Sequence, residues 1–126
     1  MSEVSELIGK TLEKIIRGDD EITFVCSDGK VYKMYHDQDC CEGVYVEDIC
    51  GDLNNLIGRT LLMAEEATSD ENPEGVIIGY QDSFTWTFYK FATMKGYVTI
   101  RWYGESNGYY SESVTFKEIE GEITNG

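Results

Sequence analysis

The stretch Ile22–Tyr35 constrains the fold more than any other part of the sequence, because two alternating segments flank the dipeptide Asp28-Gly29. The first segment carries apolar residues at every second position: Ile22, Phe24 and Cys26. This period of two is typical of a strand with one buried face. An Asx-Gly pair between two such segments indicates a two-residue hairpin turn, since both central residues of that turn need positive φ. The sequence therefore predicts an antiparallel hairpin with Cys26 opposite Val31.

The second half of the chain repeats this pattern with larger side chains. Alternating residues occur in two segments, before and after Gly96: Phe84, Trp86 and Phe88, then Val98, Ile100 and Trp102. Twelve of the sixteen aromatic residues lie between Tyr80 and Phe116. Because aromatic and β-branched side chains pack well on pleated surfaces, these segments predict a second meander whose aromatic residues form core and cross-strand pairs.

A six-residue sequence occurs twice in the chain with one difference: LIGKTL at Leu7–Leu12 and LIGRTL at Leu56–Leu61. Each copy follows a short segment with helical spacing, which Ser2 or Asp52 is placed to cap. The glycine of each copy then stands where the end of a helix favours a residue in the left-handed region. This repeat therefore predicts two short helices that end at equivalent glycines.

These patterns together predict a single domain, residues 1–126, made of two similar halves at about residues 5–50 and 53–119. Each half would hold a helical turn, a strand and a hairpin. The predicted fold class is α+β, with a mostly antiparallel sheet, or a pair of sheets, made of two meander or hairpin halves and one or two short helices.

The acidic residues are concentrated in the middle of the sequence. The formal net charge is −14, and the twelve acids between Met34 and Tyr89 stand against one base, Arg59. Such a field repels nucleic acid and anionic membranes, and it attracts basic protein surfaces or cations. No apolar run reaches the roughly 18 to 20 residues of a membrane span, and the N-terminus does not have the pattern of a signal peptide. We therefore expect a soluble, cytoplasmic chain with free thiols and without direct nucleic-acid or membrane contact.

The segment His36–Glu42, HDQDCCE, is the part of the sequence that most resembles a metal or thiol site. Four zinc ligands could be drawn from this segment and one further thiol: His36, Cys40, Cys41, and either Cys26 or Cys50. Structural zinc sites usually take cysteines spaced about two to four residues apart, whereas Cys40 and Cys41 are adjacent. We therefore expect no resident metal and no cofactor, and the zinc set is the lesser alternative.

The acids of the same segment argue against two other chemical interpretations. Asp37, Asp39 and Glu42 alternate as hard-cation ligands do, but the glycine-containing pattern that specifies a calcium loop is absent from the sequence. These acids would also raise the pKa of a neighbouring thiol, which is the wrong direction for a nucleophile. Since His36 falls opposite Glu21 in the predicted hairpin, we expect a loop that turns its thiols toward the core and its acids toward solvent. No enzyme is predicted.

Three segments carry a resemblance to a known family: YHDQDCCEGVYVEDI (Tyr35–Ile49), LIGRTLLMAEE (Leu56–Glu66) and TWTFYKFATMKGYVTIRWYGESNGYYSESVTF (Thr85–Phe116). Together they resemble a family of small, uncharacterised proteins that occur mostly in bacteriophage and prophage genomes. The resemblance covers roughly residues 5–119, which is nearly the whole chain. It implies a phage or prophage setting, and it supplies no catalytic residue.

The function that fits these observations best is a non-enzymatic binding protein that acts on a host protein with a basic surface. As a counter-defence inhibitor of the anti-CRISPR or anti-restriction type, it would cover a basic nucleic-acid channel with its own acidic surface. The predicted contact residues are Asp37, Asp39, Glu42, Glu47, Asp48, Asp52, Glu65 and Glu66. The competing interpretation is that these acids only keep the chain soluble.

A second hypothesis is a small-ligand protein that binds and sequesters a nucleotide signal. Aromatic stacking with a few cations would suit that role. The predicted ligand-binding residues are Trp86, Lys90, Arg101, Trp102 and Tyr103. A metal-binding or structural protein is the third hypothesis, and both a monomer and a homodimer fit the sequence.

Overall fold

Eight strands and two short 3₁₀ turns are present in a computed structural model that describes residues 3–18, 20–37, 42–71, 83–106 and 111–119. In chain order they are η1 (Val4–Leu7), β1 (Leu12–Arg17), β2 (Glu21–Cys26), β3 (Val31–Tyr35), β4 (Gly43–Cys50), η2 (Leu53–Leu56), β5 (Met63–Ser69), β6 (Ser83–Thr93), β7 (Gly96–Ser106) and β8 (Thr115–Ile119). The strands form two antiparallel sheets, a first sheet in the order β1-β2-β3-β8 and a second in the order β4-β7-β6-β5. Residues from both sheets share one buried core, so the fold is a β-sandwich.

Each half of the chain gives three strands to one sheet and its fourth strand to the other. The strands β1, β2 and β3 form a meander in the first sheet, and β4 then crosses over to pair with β7. The second half has the same layout, because β5, β6 and β7 form a meander in the second sheet and β8 crosses back to pair with β3. Each meander therefore depends on the other half of the chain for its fourth strand.

The two LIG-x-TL segments lie side by side and exchange equivalent main-chain hydrogen bonds. The Gly9 N–H donates to the Leu61 carbonyl at 2.9 Å, and the Gly58 N–H donates to the Leu12 carbonyl at 2.8 Å. Gly9 and Gly58 have φ values of 89° and 82°, so the prediction of left-handed glycines at these positions is confirmed. The paired segments join the start of β1 to the start of β5.

Aromatic side chains from the two sheets meet in the core. The ring centroids of Phe24 on β2 and Phe91 on β6 are 5.8 Å apart, and both side chains are fully buried. The indole Nε1–H of Trp102 on β7 donates to the sulfur of Met34 on β3 at 3.1 Å. Because these contacts cross from sheet to sheet, the burial of their aromatic area stabilises the closed sandwich.

The second sheet has longer strands than the first. The strands β6 and β7 have 11 residues each, whereas β2 has 6 and β3 has 5. The first part of β6, Ser83–Thr87, turns three hydroxyl side chains to the inner face: Ser83, Thr85 and Thr87. These side chains are faced by the segment Ser111–Val114, which precedes β8, and not by a strand of the first sheet.

The large aromatic residues at the start of β6 lie on the outer face of the second sheet. Trp86 is fully buried there, with its ring centroid 4.7 Å from that of Tyr103 on β7. Tyr45 and Phe84 complete this outer aromatic cluster, with ring centroids 5.9 Å and 6.3 Å from that of Tyr103. The aromatic residues at the start of β6 therefore form cross-strand pairs as predicted, but they are not part of the shared core.

The predicted α+β class is wrong, because the regular structure of the described residues is antiparallel strand apart from η1 and η2. Each 3₁₀ turn has four residues, which is too short to offset the cost of nucleating an α-helix, and a left-handed glycine follows closely. Asp52 caps η2 as predicted, since its carboxylate accepts from the Asn54 N–H at 3.0 Å. Glu3 caps η1 with Glu6, and Ser2 lies outside the described residues. Within those residues, no helix has the length and apolar character needed to span a membrane.

The predicted hairpin is present, but its predicted register is wrong by one residue. Val25 lies opposite Val31, and Glu21 lies opposite Tyr35, so neither Cys26 nor His36 has the predicted partner. The connection has three residues, 27–29, closed by the Cys26 N–H that donates to the Lys30 carbonyl at 2.9 Å.

The conformation of Asp28 explains the longer turn. Gly29 has a φ of 92°, whereas no non-glycine residue of the described chain has positive φ. A two-residue turn of the predicted type would need positive φ at Asp28 as well. Its carboxylate instead accepts from the Lys30 N–H at 2.9 Å, and this bond stabilises the wider loop.

Replacing Phe91 by Ala should destabilise the protein by about 3–5 kcal/mol, because it removes the ring that joins the two sheets and leaves a cavity. The free energy of unfolding can be measured by urea denaturation. Tyr97→Ala is the control, since Tyr97 lies on the adjacent strand and is 74% exposed. The free energy of unfolding of Tyr97→Ala should lie within about 0.5 kcal/mol of that of the unmodified protein. Equal effects of the two substitutions would contradict the assignment of the core.

Candidate functional site

Carboxylates without a basic partner gather along β5, the edge strand of the second sheet. We define the acidic edge by five exposed residues on β5, at its end and on the neighbouring N-terminal segment: Glu3, Glu65, Glu66, Asp70 and Glu71. None of the five forms an ion pair within the described part of the chain. Burial and the charge of Glu3 raise the pKa of Glu66, so the two carboxylates are close enough to repel each other.

Three acids beside the first sheet, unlike those of the acidic edge, have a lysine as partner. They form these ion pairs: Asp28 with Lys10 at 2.7 Å, Glu21 with Lys33 at 3.0 Å, and Glu118 with Lys30 at 3.4 Å. The bond to Lys10 is the main reason that the pKa of Asp28 is lowered from its ordinary value. These three acids are thus in a different electrostatic environment from the five of the acidic edge.

The structure does not bring the eight predicted contact acids together on one surface. The strands that carry Glu47 and Glu65 lie at opposite edges of the second sheet. Glu47 forms an ion pair with Arg101 at 2.6 Å, and Asp52 is used as the cap of η2. The remaining predicted acids differ in placement: Asp37 and Asp48 are exposed, Glu66 joins Glu65 on β5, Glu42 is buried, and Asp39 lies outside the described residues.

His36 and Glu42 form a buried pair at the two ends of the HDQDCCE segment. His36 Nε2 lies 2.7 Å from Glu42 Oε2, and the two side chains are only 4% and 0% exposed. His36 Nδ1 lies 2.7 Å from the carbonyl oxygen of Ser113, which can only accept, so Nδ1 carries a proton. The Nε2 contact also needs a proton, which either the ring or the Glu42 carboxyl supplies. The expectation that Glu42 lies in solvent is therefore wrong.

This pair occupies the ring nitrogens that the zinc hypothesis would require. It also links the connection from β3 to β4 with the segment before β8, so it joins both crossings between the sheets. No group of three or more ligating side chains that could hold a metal occurs among the residues described. Cys40 and Cys41 lie outside those residues.

The two described cysteines are poorly suited to nucleophilic chemistry. Cys26 is 1% exposed, and burial raises the pKa of its thiol to about 11. Cys50 is exposed on β4, but its thiol donates to Asp48 at 3.5 Å, and this bond raises its pKa. Both thiols are therefore protonated and weakly nucleophilic near neutral pH.

A polar groove runs along the inner face of β5, beside the acidic edge. One section, of about 270 Å³, lies between the start of β6 and Ser111–Val114, and the other, of about 710 Å³, lies between β5 and Glu3–Ser5. Both sections are lined by Glu66, Thr68 and Val114, so they form one continuous groove. None of the described residues that line it is basic.

Tyr89 lies in the shared core, on the strand beside Glu66, and has an unusual hydroxyl group. It follows Thr85 and Thr87 on the inner face of β6 and is the cross-strand partner of Glu66. Tyr89 is fully buried, yet its hydroxyl has no hydrogen-bond partner among the described residues. Burial, followed by the charge of Glu66, strongly raises the pKa of this phenol, so the hydroxyl keeps its proton.

The residues predicted for a nucleotide ligand are divided between two faces of the second sheet. Trp102 lies in the core, whereas Trp86, Lys90, Arg101 and Tyr103 belong to the outer face. Trp86 and Tyr103 are at most 1% exposed, so a nucleobase cannot stack on them without displacing other residues. The Arg101 guanidinium lies 5.1 Å from the Trp86 ring and is bound to Glu47, so it already has an anionic partner.

Sequence reasoning missed the groove and the isolation of the Tyr89 hydroxyl. The segment Ser83–Phe88 reads SFTWTF, and its aromatic residues dominated the interpretation of the strand. The hydroxyl residues alternate with equal regularity and define the other face. That alternation was the available signal, whereas the approach of Ser111–Val114 to this face depends on the crossing of β8 and is not visible in the sequence.

The family of the chain follows from a family model that matches residues 5–116. The chain belongs to the family described as Domain of unknown function (DUF7448). No curated protein and no solved structure matches the chain in the other two comparisons. The family assignment agrees with the expectation of an uncharacterised family, and it assigns no activity.

Replacing His36 by Ala should lower the free energy of unfolding by about 1.5–3 kcal/mol, because the buried Glu42 carboxyl group then loses its short contact with the imidazole. Glu42→Gln should cost less, since its amide can donate to an unprotonated Nε2. Urea denaturation at neutral pH measures both variants, and Asp37→Ala, at an exposed neighbour, is the control. A loss below about 1 kcal/mol for His36→Ala would show that the pair contributes little.

Stability should fall as the pH rises from about 9 to about 11, partly through Cys26. The unfolded thiol ionises near its ordinary pKa of 9.0, whereas the folded thiol holds its proton to about 11. The folded state therefore binds more protons in this window and loses stability as the pH rises. Cys26→Ala should reduce that loss by about 2–3 kcal/mol in urea denaturation at several pH values. Cys50→Ala is the control, and identical pH profiles for Cys26→Ala and the unmodified protein would contradict the assignment.

Proposed function

We propose that this member of the DUF7448 family is a non-enzymatic binding protein that docks its acidic edge on the basic surface of a host nucleic-acid-binding protein. In a phage or prophage setting it would act as a counter-defence inhibitor of the anti-CRISPR or anti-restriction type. The observation that carries the proposal is the set of five exposed carboxylates on this edge that have no ion pair within the described chain.

Electrostatic repulsion within the acidic edge favours a cationic partner. Glu65 and Glu66 are adjacent on β5, and burial followed by the charge of Glu3 raises the pKa of Glu66. A basic surface would relieve this repulsion on contact, whereas acids already paired with lysines would gain less. The same field would steer the encounter and make association fast at low salt.

The sheet holds the two strand residues of the acidic edge, Glu65 and Glu66, in a defined geometry. All seven residues of β5, Met63–Ser69, are in register with β6, without a bulge. The side chains of Glu65 and Glu66 leave opposite faces of the strand, so the charge extends around the edge of the sheet. A rigid array of this kind can cover a phosphate-binding channel without a large cost in ordering.

The local chemistry agrees with a binding role for the protein. Both ring nitrogens of His36 are engaged, and the Cys26 thiol is buried with a raised pKa. Neither residue is therefore placed to act as a base or a nucleophile. The proposed mechanism is steric and electrostatic exclusion of nucleic acid from the partner.

Charge reversal should test the acidic edge directly. The variant E65K/D70K/E71K should bind its basic partner at least about 100-fold more weakly, because three attractions become repulsions. Binding by the unmodified protein should also fall steeply between about 50 mM and 500 mM salt. The partner is first captured from host lysate at low salt, and its affinity is then measured with purified components by calorimetry.

The matched control is E21K/D28K/E118K, which changes the net charge by the same amount at acids that are already paired with lysines. This variant should lose no more than about 10-fold in affinity, through the long-range field alone. Binding that does not respond to salt, or equal losses in the two triple variants, would contradict a specific acidic edge.

A further inference from the structure

Exposed apolar side chains gather at the end of the sandwich where the two LIG-x-TL segments meet. We define the apolar end by four residues, which are 49%, 56%, 82% and 74% exposed: Ile8, Leu62, Met94 and Tyr97. Ile8 belongs to the first LIG-x-TL segment, and Leu62 directly follows the second. The Leu62 N–H donates to the Ala92 carbonyl at 2.8 Å, and Ala92 is the cross-strand partner of Tyr97. Main-chain hydrogen bonds therefore join the segments that carry these four side chains.

The segments that form this end contain bases and no acid. They are residues 7–12, 53–62 and 92–97, and their charged residues are Lys10, Arg59 and Lys95. Lys10 is paired with Asp28, whereas Arg59 and Lys95 are exposed and form no ion pair within the part of the chain described. In a chain with 24 acids and a net charge of −14, a second acidic chain meets the least repulsion at this end.

The composition of the apolar end is typical of a contact between proteins. Tyrosine, methionine and arginine are enriched in such contacts, and aspartate and glutamate are depleted. Arg59 and Lys95 can lay their methylene groups beside apolar side chains while their charges stay in water. Isolated exposed hydrophobic residues are ordinary, whereas a group of them at one place indicates an interaction surface.

The exposed area is sufficient for contact with a second copy of the chain. Fully exposed side chains of this size present roughly 150–250 Å² each, so the four together present on the order of 500 Å². Two copies would bury about 1,000 Å² from these side chains alone, which is the lower bound for a specific interface. A two-fold arrangement matches the patch with an identical one, and two-fold dimers are the commonest soluble oligomers.

We propose that the chain forms a two-fold homodimer through the apolar end, with Arg59 and Lys95 at the rim of the contact. These bases offset part of the repulsion between two chains of net charge −14. A contact near the lower bound of size is weak, with a Kd of about 10–100 µM. Urea denaturation at about 1 µM chain therefore measures the monomer. The dimer carries two acidic edges, and its formation does not depend on the proposed function.

Sedimentation equilibrium of the protein alone, from about 1 µM to about 500 µM, tests this inference. The apparent mass should rise from that of one chain toward that of two chains and fit one monomer–dimer equilibrium. The variant L62K/M94K should weaken dimerisation at least about 10-fold, because it places like charges opposite each other in the contact. Since both side chains are exposed, this variant should keep the melting temperature of the unmodified protein at about 1 µM.

The matched control is I16K/Y45K, which changes the net charge by the same amount. Ile16 on β1 and Tyr45 on β4 are also exposed, at 38% and 41%, but they belong to segments outside the apolar end. This variant should weaken dimerisation less than about 2-fold, because long-range charge effects act on both variants alike.

The salt dependence separates this contact from the acidic edge. Raising the salt concentration from about 50 mM to about 500 mM should strengthen dimerisation by about 3-fold or more, because salt screens the repulsion between two acidic chains. Binding of a basic partner at the acidic edge should weaken over the same range.

The inference would be overturned by the mass of a single chain at about 500 µM in high salt. A mass beyond two chains, or equal effects of the two double variants, would overturn it as well. A monomer that still binds the basic partner in a salt-dependent way would leave the proposed function intact. A dimer whose binding of that partner does not respond to salt would support the inference and contradict the proposed function.

Discussion

The packing of two sheets against one shared core is the constraint on which the rest of the molecule depends. Phe24 and Phe91 meet across the interface, and β4 and β8 each complete the sheet of the opposite half. The sheets therefore cannot separate without breaking both the aromatic contacts and the strand pairs of the crossings. His36 and Glu42 reinforce the same arrangement, because their bonds join the connection before β4 to the segment before β8. This rigidity fixes the relative positions of β5, Ser111–Val114 and the N-terminal segment.

The difference in strand length between the sheets produces the groove. The strands β6 and β7 continue where no strand of the first sheet covers them within the described residues, and this part of the inner face is polar. Ser83, Thr85 and Thr87 take positions there that Tyr89 and Phe91 occupy further along β6. On the outer face, Trp86 and Tyr103 are in contact and both are buried. Hydroxyl groups and carboxylates are thus gathered beside an edge strand. The acidic edge and the groove are two parts of one electrostatic feature, because Glu66 belongs to both.

The features that the sequence predicted correctly are those that interactions between neighbouring residues determine. The hairpin around Asp28-Gly29, the left-handed Gly9 and Gly58, and the cap at Asp52 all follow from a few neighbouring residues. The α+β class was wrong because helical spacing over four residues cannot distinguish a 3₁₀ turn from a helix. The pairing of His36 with Glu42 and Ser113, and the placement of Glu47 and Glu65 at opposite sheet edges, depend on the strand crossings and could not be read from spacing. A duplication as the origin of the two similar halves stays a prediction.

The central claim is that the face formed by β5, the groove and the acidic edge is the functional surface. Mapping amide chemical-shift changes by nuclear magnetic resonance during titration with the basic partner tests this most directly. The account predicts that the largest changes fall on Glu65, Glu66, Thr68, Thr87 and Val114, which lie on or beside β5. Changes centred on Asp37, Glu47 and Asp48, near the opposite edge of the sheet, would contradict it.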